Sequence, residues 1–434
     1  MKLSRDNLKI SGIIVLCTVF FLLTQILGNG KFSVSVYIFI YAALSIWTFF
    51  IAKKWVCNLT LFWVFYTIEV LGYPVVSSEY FRVYNPYDVF LGSYALLLGG
   101  YSIASLTSKR KRRLKKKRQI KLNIRFSWKF ILLALFGFST LMWAIYMAKN
   151  RAYLLGADLE NGRVSAMSGN GIYLFGIQVL IMTIPMLYIL YLKKGVSRYI
   201  YYVCFGLGAL ELITIGYRTP AMVMMLIVVF IAIRLGKTDL SKSIGIVASM
   251  FVVAMAFELY RLGTAGEVAV GGLIDRFLIR FGVASVNTSY VFAAFPSRIP
   301  FQYGYTNLID IIMLLPGPGP DFSTWLKEIL GMSYAGGGLA TPIQCSFYID
   351  FGYPGIYVGM FLLGVGKRLL DNWSFDRKEF GFWHVYLMYA LIMSGGCITD
   401  AFILPMILFI VYFVVMLVSR DELLISEDRI GSKG

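Results

Sequence analysis

Charge is scarce in this sequence: only 15% of its 434 residues are Asp, Glu, Lys or Arg. A soluble chain carries roughly 25% charge to cover its surface, so an ordinary water-soluble globular protein is excluded. Histidine is scarcer still. The single one, His384, lies near the expected cytoplasmic end of an apolar span and reads as structural, so chemistry on the other side must proceed without a histidine base. Cysteines number five (Cys17, Cys57, Cys204, Cys345, Cys397), an odd count with no CxxC pair. That pattern indicates neither a disulfide framework nor a zinc site; these are small hydrophobes beside apolar runs. HExxH, GxSxG, Walker A and a GxGxxG in a strand-to-helix context are all missing, which leaves metalloprotease chemistry and nucleotide use unsupported. No cofactor and no metal are expected.

Apolar residues dominate instead, at 58% of the chain with a mean hydropathy of +0.71. They fall into twelve runs, each near the ~20 residues that a bilayer core requires: 11–27, 32–52, 55–73, 88–106, 128–148, 171–192, 199–215, 219–235, 243–261, 343–366, 381–398 and 401–418. The first is followed by no small-residue cleavage site and reads as a span rather than a signal peptide. The expectation is an all-α, polytopic integral membrane protein: a single membrane domain over 1–434, about 12 transmembrane helices and a large, partly helical external loop. With 29 Tyr and 34 Phe, it has the aromatics for two interfacial belts.

The net charge of +18 would suit nucleic acid, but its distribution does not. Nine of the ten residues from Lys109 to Arg118 are Lys or Arg, and apolar spans flank this run on both sides. The positive-inside rule makes 107–129 a basic cytoplasmic loop in contact with anionic membrane lipid, and no nucleic-acid partner is expected. Placing both termini in the cytoplasm puts about three quarters of the 41 Lys and Arg residues inside.

Two expected external segments are long enough for chemistry: a loop at 149–170 and a loop or cap at 262–342. Residues 271–294 read as a helix opened by glycines, and PGPGPD at 316–321 as a turn. Arginines on the basic-poor side ask for a reason. They are Arg82, Arg151, Arg163, Arg218, Arg261, Arg276, Arg280 and Arg298. Arg276 and Arg280 share one helical face beside Asp275, an arrangement suited to phosphate or pyrophosphate because each guanidinium donates paired hydrogen bonds and stays charged. Arg218 sits in GYRTPAM (216–222) beside Tyr217, in a short turn between two spans. Glu211 and Glu258 are acids at membrane depth, where such groups face protein or a wet cavity rather than lipid. Glu267, Asp275 and Asp350 are the available carboxylate bases.

The stretch GGGLATPIQCSFYIDFGYPGIYVGMFLLG (336–364) resembles the segment after the large external loop of Wzy-type polymerases, the O-antigen and capsule repeat-unit polymerases. The likeness rests on Thr341-Pro342, Tyr348, Asp350-Phe351-Gly352 and Gly359. GYRTPAM resembles that family's Gly-x-Arg turn, and DRFLIRFG (275–282) its Arg-rich loop portion. An Arg followed by ten residues and a Gly occurs at Arg151–Gly162 and again at Arg261–Gly272, in the third and fifth external loops where some members carry it.

The resemblance implies a metal-independent glycosyltransferase on the outer face of the bacterial cytoplasmic membrane. Its substrates would be oligosaccharide repeat units on undecaprenyl pyrophosphate, with a chain-length regulator as a further partner. In that reading Arg218, Arg276 and Arg280 stabilise the leaving pyrophosphate, with Asp275 and Glu267 beside them in the catalytic set. Arg151, Arg163, Arg261, Arg298, Tyr217 and Asp350 bind substrate, and Tyr290, Tyr303, Tyr305, Trp325 and Tyr334 stack on sugars. Two other readings stay in view. An O-antigen ligase of related architecture relies on an external histidine, and His384 is expected inside. A lipid-linked oligosaccharide flippase or other transporter usually keeps its loops short and its polar site near the midplane.

Overall fold

The computed structural model describes residues 12–24, 34–52, 57–80, 86–108, 127–154, 166, 170–215, 218–238, 242, 245, 249, 282–283, 286–306, 308–309, 322–333, 338–374, 379–380, 403–418 and 425–426. Most of the expected span 243–261, all of 381–398, His384, Glu258 and the basic run after Ser108 lie outside the described residues. Each remaining expected span coincides with a helix. This follows from the solvent: apolar side chains drive these segments out of water, and only a helix then satisfies every backbone N–H and C=O within one segment. Five helices are long and apolar enough to cross a membrane: Val34–Ala52, Tyr87–Thr107, Trp128–Arg151, Gly171–Leu192 and Ile343–Asn372. Gly12–Thr24, Asn58–Gly72 and Pro220–Ile233 are shorter apolar helices. Outward faces are apolar, with Phe50 84% exposed and Phe39 76%. Faces of that kind are stable only against hydrocarbon, and the protein is a membrane-embedded helical protein. Among the described residues the one strand pairing is a two-residue antiparallel one of Glu379–Phe380 with Ile425–Ser426.

The chain divides into two compact units. The first comprises Met1–Lys116, Ile274–Asp376 and Leu391–Ala401, and its axis is the deeply buried helix Tyr87–Ser108. Small residues let neighbours approach this axis closely. A Cβ added at Gly92 would press on Phe21, and one at Gly99 on Cys17, so Gly12–Thr24 lies along that stripe. One at Gly100 would strike the backbone oxygen of Phe361. With no hydrophobic effect between helices in lipid, such close packing is the main attraction available. Tyrosines supply the polar ties: Tyr94 shares a 2.5 Å hydrogen bond with Thr48, and Tyr66 donates to Phe90 O at 2.8 Å.

A buried polar knot closes the other end of this unit's long helix, Ile343–Ser374. Asp371 accepts the Asn58 N–H at 2.8 Å, satisfying one of the orphan donors at the start of helix Asn58–Tyr80, and the Tyr101 hydroxyl at 2.7 Å. Lys367, 1% exposed, lies 4.5 Å over the Phe62 ring, and the Asn58 amide donates to its carbonyl oxygen.

The second unit comprises Lys117–Leu273, Arg377–Ala390 and Phe402–Gly434. Helix Trp128–Leu154 packs on the Gly171–Leu192 span through Gly176, where a Cβ would collide with Met142, and Ser139 donates to Gly176 O at 2.9 Å. Ser197 caps helix Arg198–Thr214 by accepting the Ile200 N–H. Helix Ile403–Val418 joins the unit through Tyr412, which is hydrogen-bonded to Thr183 at 2.5 Å.

Candidate functional site

The 336–364 stretch folds into a broken helix. Pro354 has no N–H to offer Asp350 O, and Gly352 adopts φ +66°, outside the helical range, so the Ile343–Ser374 helix breaks there. Only glycine suits this position: its φ is left-handed, and a Cβ would come within 2.9 Å of the Phe301 ring. The break frees two carbonyls, and a strap from the preceding loop takes them up. Gln302 N–H donates to Ile349 O at 2.9 Å, and Tyr303 N–H to Asp350 O at 3.1 Å. The Asp350 carboxylate, 1% exposed, completes the clasp by accepting the Thr306 hydroxyl at 2.5 Å and the Thr306 N–H at 3.2 Å. Asp350, expected to bind substrate or act as a base, is here the acceptor that holds the strap.

Beside the clasp the first unit buries more polar groups than the sequence reading singled out. Glu69 and Asp88 are 7% and 2% exposed. Glu69 lies within electrostatic range of the Cys345 thiol and Asp88 of the Tyr348 hydroxyl. Cys345 in turn contacts the Thr288 hydroxyl, and Asn287 donates to Ala340 O at 2.6 Å. Gln344 is fully buried, with neither amide atom hydrogen-bonded among the described residues. Glu69 carried an elementary signal, since it interrupts an apolar run and acids in membrane segments face protein or function; Asp88 instead stands in the first turn of its helix.

The described parts of 262–342 are partly helical. Within the helix expected over 271–294, residues 282–283 and 286–294 are described and are helical, and Phe322–Ile329 forms another helix. Phe292 stacks on Tyr348 at 3.7 Å, and Leu339 N–H donates to Ser323 O, so both helices are fixed to the clasp helix or to the segment that leads into it. Arg298 is exposed, its N–H closing the 286–294 helix on Ala294 O.

In the second unit the 149–170 loop has its ends tied. Asn170 donates to Asn150 Oδ1 at 3.2 Å and accepts from Lys149 Nζ at 2.9 Å. Asn150 is itself non-helical (φ −110°), so the chain turns there and presents Arg151 exposed at the loop mouth. Glu211, 2% exposed, accepts the Thr140 hydroxyl at 2.8 Å through one oxygen, while its other oxygen has no hydrogen-bond partner among the described residues. Trp143 braces the same helix by donating to Thr214 Oγ1 at 2.8 Å. Arg218 opens helix Arg218–Arg234, with Pro220 in the first turn where its missing N–H costs nothing.

Of the expected site residues, Arg151, Arg298 and Asp350 have described side chains, and Arg218 has a described backbone. Arg163, Tyr217, Arg261, Glu267, Asp275, Arg276 and Arg280 lie outside the described residues. Among the described residues no group of three His, Cys, Asp or Glu side chains gathers as a metal site. Compared with protein-family models, curated proteins and solved structures, the chain matches none.

Proposed function

We propose that this protein polymerises lipid-linked oligosaccharide repeat units at the outer face of a bacterial cytoplasmic membrane, with both termini inside. One observation carries most weight. The stretch that resembles the repeat-unit polymerases is also where a membrane helix breaks and clasps a strap of the large loop through Asp350 and Thr306. Joining two lipid-linked glycans requires a loop held rigidly against the bilayer, because the pyrophosphates sit at headgroup depth while the reacting sugars lie in water. Positioning of that kind is a large part of catalysis.

In this reading the growing chain's anomeric carbon loses its bond to the undecaprenyl pyrophosphate oxygen, which departs with the bonding electron pair. A new glycosidic bond forms to a hydroxyl of the incoming unit, and that hydroxyl's proton passes to a carboxylate. Arg218, Arg276 and Arg280 stabilise the departing pyrophosphate, while Arg151, Arg163, Arg261, Arg298 and Tyr217 hold the second pyrophosphate and the glycans. The base is one of the carboxylates Glu267, Asp275 and Asp350. The test is glycan length on a polysaccharide gel from a deletion strain beside its complemented parent. Single repeat units still attached to their final acceptor support polymerisation. Lipid-linked precursor trapped inside the cell would replace this reading with a flippase, and long polymer retained on its lipid carrier would replace it with a ligase.

A further inference from the structure

The clasp holds one side chain in an unusual way. Gln302–Tyr305 is a tight turn closed by Tyr305 N–H to Gln302 O at 3.0 Å, with φ +49° at Tyr303 and +95° at Gly304. Two successive positive φ values belong to the type I′ geometry, where Asn and Gly are the usual residues. A bulky aromatic at its first central position is strained. Among the described residues the other non-glycine with positive φ is Lys194, and it simply ends a helix: its N–H and that of Gly195 take up the carbonyls of Tyr191 and Leu190. Tyr303 ends no helix. Its conformation is imposed by the hydrogen bonds to Ile349 and Asp350, and the outcome is a ring 77% exposed.

The ring has suitable company. Tyr305, two residues on, is exposed as well and meets Trp325 edge-to-face at 5.6 Å. Ser297 and Arg298, at the start of the same strap, are exposed and polar, while Leu308 and Phe351, the latter beside Gly304, are exposed and apolar, so the rim is amphipathic. Burial does not explain an aromatic held there under strain, because the ring is not buried. Anchoring to lipid would not need the strain either, since an interfacial tyrosine works from a loose loop. A fixed ring face is what stacking requires. The C–H groups on one side of a pyranose carry slight positive charge and complement the negative face of an aromatic ring, while the sugar hydroxyls find donors such as Arg298 at the rim.

We propose that Tyr303, with Tyr305 and Trp325 beside it, is a stacking platform for a sugar ring of the lipid-linked glycan; this inference rests on the functional reading above. The probe is the host cell's own repeat-unit oligosaccharide, released from its lipid carrier by mild acid. Its binding to the full-length protein in nanodiscs is followed by saturation-transfer NMR. Wild type is expected to transfer saturation to the ring protons of one sugar. Tyr303→Ala and Tyr303→Gly should weaken binding by about tenfold or more, and Tyr303→Phe by less than about threefold. Tyr303→Gly matters most, because glycine accepts the turn without strain and the protein stays folded while the ring is gone.

Unchanged binding by Tyr303→Gly would overturn the platform while leaving the polymerase reading standing. Absence of binding by wild type, together with normal polymer in the deletion strain, would remove both. If the extra fluorescence of Tyr303→Trp is quenched by brominated phospholipid and unaffected by the oligosaccharide, the residue is a membrane anchor and the proposal fails.

Discussion

Gly100 and Gly364 are reciprocal contacts: a Cβ on Gly100 would strike Phe361 O, and a Cβ on Gly364 would strike Leu97 O. Backbone meets backbone there, so neither helix can move aside by turning a side chain. Gly100→Leu or Gly364→Leu is expected to separate the two central helices of the first unit and cost about 3 kcal/mol or more, at or beyond the usual range for overpacking. Gly366 lies two residues away with nothing near its would-be Cβ, so Gly366→Ala should be neutral or slightly stabilising. Monodisperse yield after heating in detergent separates the two cases.

The strap offers a second test. Thr306→Val removes the hydroxyl that Asp350 accepts in a buried site, and hydrogen bonds to a charged group are worth about 1.5–3 kcal/mol. Gly352→Ala should cost more than Thr306→Val, since it combines a left-handed φ with a collision against Phe301. Limited proteolysis within 300–321 is the sensitive readout, because strap release precedes global unfolding. Cleavage no faster than in wild type would mean that the strap is held by other contacts.

The polar knot at the far end of the same helix makes the third. Asp371 ties Asn58 and Tyr101 together and lies in the field of Arg368 and Lys367. Removing a buried carboxylate from such a cluster typically costs about 3–5 kcal/mol. Asp371→Ala is therefore expected to lower the melting temperature far more than Asp371→Asn, which keeps one acceptor. A thermal-shift series that adds Lys367→Met to each variant should show non-additivity if aspartate and lysine act as a unit.

Much of this was legible before any coordinates. The spans read directly because apolar runs near twenty residues leave a helix as the one way to satisfy the backbone. The sequence reading runs 343–366 as one uninterrupted span, although Gly352 and Pro354 carry the signal of the break that the structure shows there. Asp350 looks like a candidate base in a one-dimensional reading. Its partner Thr306 is 44 residues away, and nothing local announces the pairing. Glu69 carried a usable signal as an acid inside an apolar run, whereas Asp88 stands in the first turn of its helix. Which glycines face which backbone depends on helix crossing, which composition does not encode.

The arginines make the fourth prediction, and it is chemical. If Arg218, Arg276 and Arg280 hold a pyrophosphate, each Arg→Ala variant should shorten the polymer to single units at normal protein levels. Each Arg→Lys variant should restore chain length only in part, because an ammonium keeps the charge but loses the paired donors. Full-length polymer from all three alanine variants would sink the assignment.

Glu211 asks whether a buried acid is there for stability or for work. One oxygen is satisfied by Thr140 and the other has no hydrogen-bond partner among the described residues, so within them the carboxylate gains little from its surroundings. A glutamine keeps the shape and the oxygen that Thr140 needs. Glu211→Gln is therefore expected to change stability by less than about 1 kcal/mol, whereas losing one partner of a buried ion pair would cost several. Thermal stability and glycan length measured on the same variant separate the outcomes. A stable protein that makes no polymer would place Glu211 in the reaction or in the motion that serves it. A stable protein that makes normal polymer would leave Glu211 a tolerated buried acid, and a large loss of stability would reveal an ion pair that holds the unit together.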